Sequence, residues 1–377
     1  MIKDIDKETV MIWLSQLGKP NYLLFTALLE EFESTEGIYD AFYRGVKPSV
    51  FRGNEKLERK FADPENMKAA ADIKERMKNS GMRMLDITSA AYPEKVRNLP
   101  SAQPIVLYYY GSLPWESDPS ALYLSLVGSR NCSASGFNNA GRFAYCLAEH
   151  GCVIVSGLAR GCDGAAHKGA ISAKGKTVAV LASGADVVYP PEHRSLYNQI
   201  IDNGCVISES PPGTSPQKQL FPARNRIIAG LGDGTVVIEA SKKSGALITA
   251  DRALEAGRTV FALPGDVSNP LAYGCNELIR QGAVLALSPH TVLEEFGIYE
   301  DNKRAHGKLP QGWINGLPEK QSAVANAISK GYGNPDEIAE LLELPASEVG
   351  SAITMLELRG VVSKYVSGEY YIAAERY

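Results

Sequence analysis

The 377-residue sequence has no apolar run long enough to cross a bilayer, and its opening Met-Ile-Lys-Asp-Ile-Asp lacks the basic-then-apolar order of a secretion signal. The expectation is a cytoplasmic protein with no membrane partner. Six cysteines (Cys132, Cys146, Cys152, Cys162, Cys205, Cys275) include no Cys-x-x-Cys pair, so neither a zinc site nor a disulfide framework is indicated. Most should be small buried hydrophobes. Excess positive charge is missing too. The net charge is −4, so a polyanion site, if present, must be local.

The nucleotide-cofactor signatures are also absent. No Gly-x-Gly-x-x-Gly follows the first β-like run of the central region, and the second run ends in Ser156-Gly157 instead of the acid that would hold a ribose. Gly175-Lys176-Thr177 resembles the end of a Walker loop, but Gly169 falls one residue too early and the tripeptide leads into a strand. No serine or cysteine carries a nucleophile signature. Asp163 and His167 lie four apart on one predicted helix face, a spacing open to a base and its orienting group but commoner for a helix-start acid and a satisfied core histidine. Neither Glu209 nor Glu239, at strand ends, has a metal-ligand pattern beside it. No cofactor, metal or catalytic residue is therefore expected.

What is present is an ordinary globular composition, 45% hydrophobic and 22% charged, enough for two or three domains. From Leu122 onward, short β-branched runs alternate with helical stretches: Leu122–Val127, Val153–Ser156, Thr177–Leu181, Cys205–Ser208, Thr235–Glu239, Thr259–Leu263 and Val284–Leu287 read as strands. Most lack period-2 alternation, as strands buried on both faces should. The fold class is α/β, a doubly wound parallel sheet of Rossmann-like type, spanning residues 86–297 with an added strand near Ile105–Tyr110. Residues 1–85 read as helices only, a small domain whose basic run Arg44–Lys60 is better explained as a solvated face than as a DNA contact. Residues 298–315 read as a polar linker. Residues 316–377 read as three helices, Glu319–Ser329, Pro335–Leu342 and Ser347–Leu358, and a hairpin turning through Ser367-Gly368-Glu369, which is a winged-helix plan. Its presumed reading helix has no Lys or Arg, so a protein partner is expected there instead of DNA.

In open α/β sheets ligands sit beyond the carboxyl ends of the strands. Four segments there suit an anion: Gly128-Ser129-Arg130, Ser156 to Gly161, Phe221-Pro222-Ala223-Arg224-Asn225-Arg226 just before a predicted helix, and Ser241-Lys242-Lys243-Ser244-Gly245 at another helix start. Glycine permits close backbone approach, arginine offers a planar fork for phosphate oxygens, and a helix start adds partial positive charge. Phe137 and Tyr189 are candidates for stacking on bases.

With Ser156-Gly157-Leu158-Ala159-Arg160-Gly161-x-Asp163, Ala166-His167, Tyr189-Pro190, Ser208-Glu209, Ser244-Gly245-x-x-x-Thr249-Ala250 and Pro264-Gly265 added, residues 90–297 resemble the bacterial DNA-processing protein A family, DprA or Smf. Cys162 departs from the aliphatic residue expected between Gly161 and Asp163. The flanking segments, a sterile-alpha-motif or helix-hairpin-helix-like domain and a winged-helix-like domain, fit the same architecture. The resemblance implies a cytosolic, homodimeric single-stranded-DNA-binding protein, not an enzyme, that protects incoming DNA in natural transformation and loads the RecA recombinase. It also implies DNA binding by Gly128, Ser129, Arg130, Lys176, Arg224, Asn225, Arg226, Lys242, Ser244 and Gly245. Two competing readings remain open: a phosphoribohydrolase-like nucleotide hydrolase using Glu239 beside a phosphate on Ser244 and Gly245, and an adaptor centred on residues 310–377.

Overall fold

A computed structural model describes residues 5–18, 21–298, 317–330, 332–359, 361–364 and 370–372. Residues through Val292 form one compact unit and those from Leu293 another. The first is built on a nine-stranded sheet: β1 (Arg83–Asp86), β2 (Val106–Gly111), β3 (Tyr123–Val127), β4 (Val153–Ser156), β5 (Thr177–Val180), β6 (Gly204–Ser208), β7 (Gly234–Val237), β8 (Thr259–Ala262) and β9 (Val284–Leu285). Their order is β1-β2-β6-β5-β4-β3-β7-β8-β9. β3 to β9 pair in parallel, while β2 joins β6, and β1 joins β2, antiparallel.

The seven strands expected from Leu122 onward all form, and the reason is visible in their burial. β3, β4, β5, β6 and β7 are buried at every position. Along β5, Val178 and Val180 join the core cluster that contains Ile227 and Ile228, whereas Ala179, with Leu181 just beyond the strand, joins the cluster of Leu196, Tyr197 and Ile200. Alternate residues thus feed two apolar layers, which is why a polar face never appears in the sequence.

Helices cover the sheet. In chain order they are α1 (Lys7–Leu17), α2 (Asn21–Phe32), α3 (Thr35–Tyr43), α4 (Glu55–Ala62), α5 (Pro64–Ser80), the single turns α6 (Glu94–Arg97) and α7 (Pro114–Ser117), then α8 (Ala134–Glu149), α9 (Cys162–Ser172), α10 (Arg194–Asn203), α11 (Leu220–Leu231), α12 (Gly245–Glu255), α13 (Tyr273–Arg280) and α14 (Pro289–Glu295). α1 to α5 gather around Trp13, whose indole lies 5.1 Å from the Phe42 ring and 4.9 Å from Phe61. Their apolar residues merge into the core that holds Tyr108 of β2. One departure from the helices-only reading is β1, which begins at Arg83. α5 stops at Gly81 in the left-handed region (φ 69°), and that turn sends the chain back along β2.

The basic run of residues 44–60 sits on this helical layer and is largely spent on neighbours: Lys47 pairs with Glu58, Arg59 with Glu55, Arg44 with Asp40, and Lys60 donates to the Leu17 carbonyl. The second unit contains α15 (Glu319–Ser329), α16 (Pro335–Leu342), α17 (Ala346–Leu358) and the ribbon β10 (Val362–Lys364) with β11 (Tyr370–Ile372), around a core of its own. The expected hairpin turn at Ser367–Glu369 and the linker expected at 298–315 lie outside the described residues, save Ile298.

Candidate nucleic-acid interface

After β3 the chain leaves the sheet toward one side, and after β7 toward the other. Such a switch point opens a crevice that helices do not close. Here it is a cleft of about 710 Å3, lined by the loop after β3 (Gly128 to Asn131), Ala159 and Asp163 near the end of β4, one side of α11, and the turn and helix start after β7. Its floor is tied across strands. The Ser129 amide donates to the Glu239 carbonyl at 2.8 Å, and the Cys162 amide donates to the Ser129 carbonyl at 3.3 Å.

The mouth carries charge on aromatic surface. Arg130 is exposed, and its guanidinium lies 4.2 Å from the centre of the Phe221 ring. Tyr189 meets the same ring edge-on at 5.8 Å. Lys218, exposed on the approach to α11, completes the cationic rim. On the opposite wall, Ser244 caps α12 by accepting from the Ala246 amide at 3.3 Å, so the positive end of an eleven-residue helix faces the same space. Asn225 reaches across to that start, donating to the Gly245 carbonyl at 3.3 Å.

The two arginines of the Phe221–Arg226 segment do not behave as expected. The stretch from Phe221 is not a lead-in to a helix but the first turns of α11, because a proline in the first turn removes an N–H that has no intrahelical partner anyway. Arg224 and Arg226 consequently point inward. Arg224 is 5% exposed and donates from Nη1 to the carbonyls of Gly157, at 2.8 Å, and Val180. A Cβ at 157 would lie 2.4 Å from that nitrogen, so a larger residue there would push the guanidinium off its carbonyls. Burial pushes the Arg224 guanidinium down to about 10, and the charge of Asp163 opposes the shift. Arg226 is spent on the Ala102 and Ala223 carbonyls and on Glu209, 2.7 Å away, and it borders a separate, small groove beside Pro100.

Three further expectations are corrected or reduced. Lys176 precedes β5, so it lies at the amino ends of the strands, on the edge of the sheet opposite the cleft. Its place in a Walker-like tripeptide has no counterpart in space. Phe137 is exposed on α8 beside Lys168 but is not among the residues that line the cleft. Arg160, in the loop after β4, is paired with Glu192. Gly128, Ser129, Arg130, Arg224, Asn225, Ser244 and Gly245 are brought together around the cleft, Arg224 from its buried floor, whereas Lys242 follows the lining residue Ser241 without itself lining it. Lys218 was not singled out from the sequence, and Phe221 was named only as the first residue of its motif and not as a stacking ring, although an aromatic three residues after a lysine at the edge of a cationic motif is the available signal.

The acids and the histidine have structural partners. Both oxygens of Glu239 accept from Ser133, from its amide at 2.8 Å and its hydroxyl at 2.7 Å, and that serine caps α8. Glu239 therefore braces the loop after β3, which weakens the hydrolase reading. Asp163 is buried beneath the cleft, where desolvation raises its pKa against the pull of Arg224. His167 is fully buried and meets Thr177 Oγ1 at 2.8 Å through Nδ1. Thr177 Oγ1 itself donates to the Ile154 carbonyl, so Nδ1 is the donor, and burial, which holds the pKa down at about 3, keeps the ring neutral. Among the described residues no group of three His, Cys, Asp or Glu side chains is arranged for a metal ion, and no helix is long and apolar enough to cross a membrane.

Comparison with known proteins agrees with this architecture. A family model for DNA recombination-mediator protein A matches residues 83–297, and one for the DprA winged helix domain matches residues 310–365. Protein Smf of Synechocystis is 31% identical over 383 residues, spanning 93% of this chain and 96% of its own length. DNA processing protein DprA of Streptococcus pneumoniae is 45% identical over 210 residues, spanning 56% of this chain and 73% of its own. The crystal structure of the S. pneumoniae DprA aligns with a TM-score of 0.63 at 35% identity, covering 76% of this chain and 95% of that one. DprA of Helicobacter pylori, solved to describe its single-stranded DNA binding mode, aligns with a TM-score of 0.52 at 27% identity, covering 58% and 97%. By sequence over nearly its whole length and by the fold of its sheet, the chain belongs to the DprA/Smf family of DNA recombination mediators.

Proposed function

We propose that the cleft at the β3–β7 switch point holds single-stranded DNA without reading its sequence, and that it binds the strand without cutting it. The observation that carries this reading is the stack of Arg130 on Phe221, with Tyr189 edge-on and Lys218 alongside, at the mouth of an open groove. Aromatic faces accept any base, and cations beside them follow the phosphates. A specific small-molecule pocket would instead bury most of its ligand's surface. Gly128, Ser129, Asn225, Ser244 and Gly245 shape the walls and present main-chain and side-chain donors.

In this reading the protein is a cytoplasmic homodimer that protects incoming DNA during natural transformation and loads the RecA recombinase onto it. Two clefts on one strand would add avidity that one modest site lacks. Leu254, Leu285 and Leu287, exposed apolar side chains on α12, β9 and just after β9, support self-association. The cleft lies wholly within the proposed segment 86–297, and the acidic segment 316–377 is left to meet a protein. The test is a titration of single-stranded oligonucleotide at several salt concentrations. Arg130→Ala with Lys218→Ala should weaken binding and flatten the slope of log K against log salt by roughly 0.7 per lost phosphate contact, with unfolding unchanged. An unchanged slope and affinity would overturn the assignment.

A further inference from the structure

Beyond the cleft, the same sheet edge carries a second cation on an aromatic ring. Lys242 lies with Nζ 5.6 Å from the centre of the Tyr273 ring, and Tyr273 is 48% exposed. Both lie close in sequence to residues that line the cleft: Lys242 is bounded by the lining residues Ser241 and Ser244 with Lys243, and Tyr273 stands two residues after the lining residue Leu271. The platform is rigid. The amide of Gly274 donates to the Ala240 carbonyl at 2.7 Å, fixing the start of α13 to the end of β7, and a Cβ at 274 would lie only 2.8 Å from that oxygen. Asn276 holds the loop after β8 by donating to the Gly265 carbonyl at 2.9 Å and accepting from its amide at 3.1 Å.

Tyr273 leaves about half of its surface to solvent, whereas Gly274, Cys275 and Leu278 of the same helix are buried. Its ring with Lys242 repeats, one strand further along, the pairing of Phe221 with Arg130. We propose that Tyr273 and Lys242 form a second stacking subsite for single-stranded nucleic acid, extending the strand's path from the β3–β7 cleft toward the end of β8. The inference rests on the reading of the first cleft as a single-strand site. It adds a direction: the strand crosses the Ser241–Gly245 turn, with a base on each aromatic and backbone phosphates near Lys242 and Lys243.

A ladder of oligothymidylates of decreasing length tests this, with affinity measured by fluorescence anisotropy. Tyr273→Ala should weaken binding of the longest member by roughly fivefold or more, the effect of losing one stacked base. Tyr273→Phe should restore it, since the ring and not the hydroxyl is used. The difference between Tyr273→Ala and the unsubstituted protein should vanish for members too short to reach past the first cleft. Lys242→Ala should flatten the salt slope on long members only. Wild-type affinity of Tyr273→Ala at every length, alongside a weakened Phe221→Ala, would overturn the second subsite and leave the first intact. A length-independent loss in Tyr273→Ala would overturn it as well. Unchanged binding in Phe221→Ala would instead bring down the first cleft.

Discussion

The two sides of α11 hold cations of the same kind at different depths, and the depth decides what each can do. On the inner side Arg224 and Arg226 have exchanged water for carbonyls and carboxylates of their own chain. At the outer edge Phe221 offers its ring to Arg130, which stays in solvent. An exposed arginine can trade its hydration for a phosphate at little cost. A buried one would first have to abandon partners that hold a loop in place. Arg224 is thus a positioning residue: it fastens the loop after β4, where Leu158 and Gly161 adopt positive φ, under the wall of the cleft.

The sharpest way to break this contrast is to remove the buried charge. Arg224→Ala leaves Asp163 buried without its countercharge and the Gly157 and Val180 carbonyls without their donor, so urea unfolding should show a loss of about 3–5 kcal/mol. In the fraction that stays folded, the salt slope of DNA binding should not change, whereas substitution of Arg130 should flatten the slope and spare the stability. A flattened slope with full stability in Arg224→Ala would reverse the roles of the two arginines. For a double substitution of Arg224 and Arg226, therefore, weakened binding would report unfolding before it reported lost phosphate contacts.

A smaller effect comes from His167, buried below the same loop. Burial holds its pKa down at about 3, against 6.5 for the free side chain. Between those values the unfolded chain binds a proton that the folded one refuses, so this histidine favours the fold above about pH 6.5 and progressively less as the pH falls toward 3. The expected slope is about 1.4 kcal/mol per pH unit. His167→Asn, which keeps a donor toward Thr177, should remove that part of the acid limb in denaturation curves at stepped pH. Asp163, with its pKa raised by burial, acts in the opposite sense and is left unaltered by the substitution. The smallest expected effect is at the far edge of the sheet: Lys176→Ala should leave both affinity and salt slope within error of the parent protein.

Much of the fold was legible because its strands are short, mostly apolar and separated by glycine or proline, a pattern that few other arrangements share. β1 was missed because four residues, one of them arginine and one aspartate, make too weak an apolar run to register beside the helix they follow. The cleft was legible in outline, since strand-end loops such as Gly128-Ser129-Arg130 and Ser241–Gly245 are local features of an α/β sheet. Which way Arg224 and Arg226 face was not. It depends on the start of α11, which lies at Leu220 and not after Arg226, with Pro222 inside its first turn.

Taken alone, the order of residues determined the strand sequence, the loops at the carboxyl edge, the lack of nucleotide-cofactor signatures and the family resemblance, because each rests on neighbours within a few positions. Only the tertiary structure decided which cations are free. Arg130 and Arg224 are 94 residues apart and chemically identical, yet one is held by carbonyls brought from β4 and β5 and the other is left on an aromatic ring in water. Solvation is set by packing at a distance, and packing at a distance is not written in any local pattern.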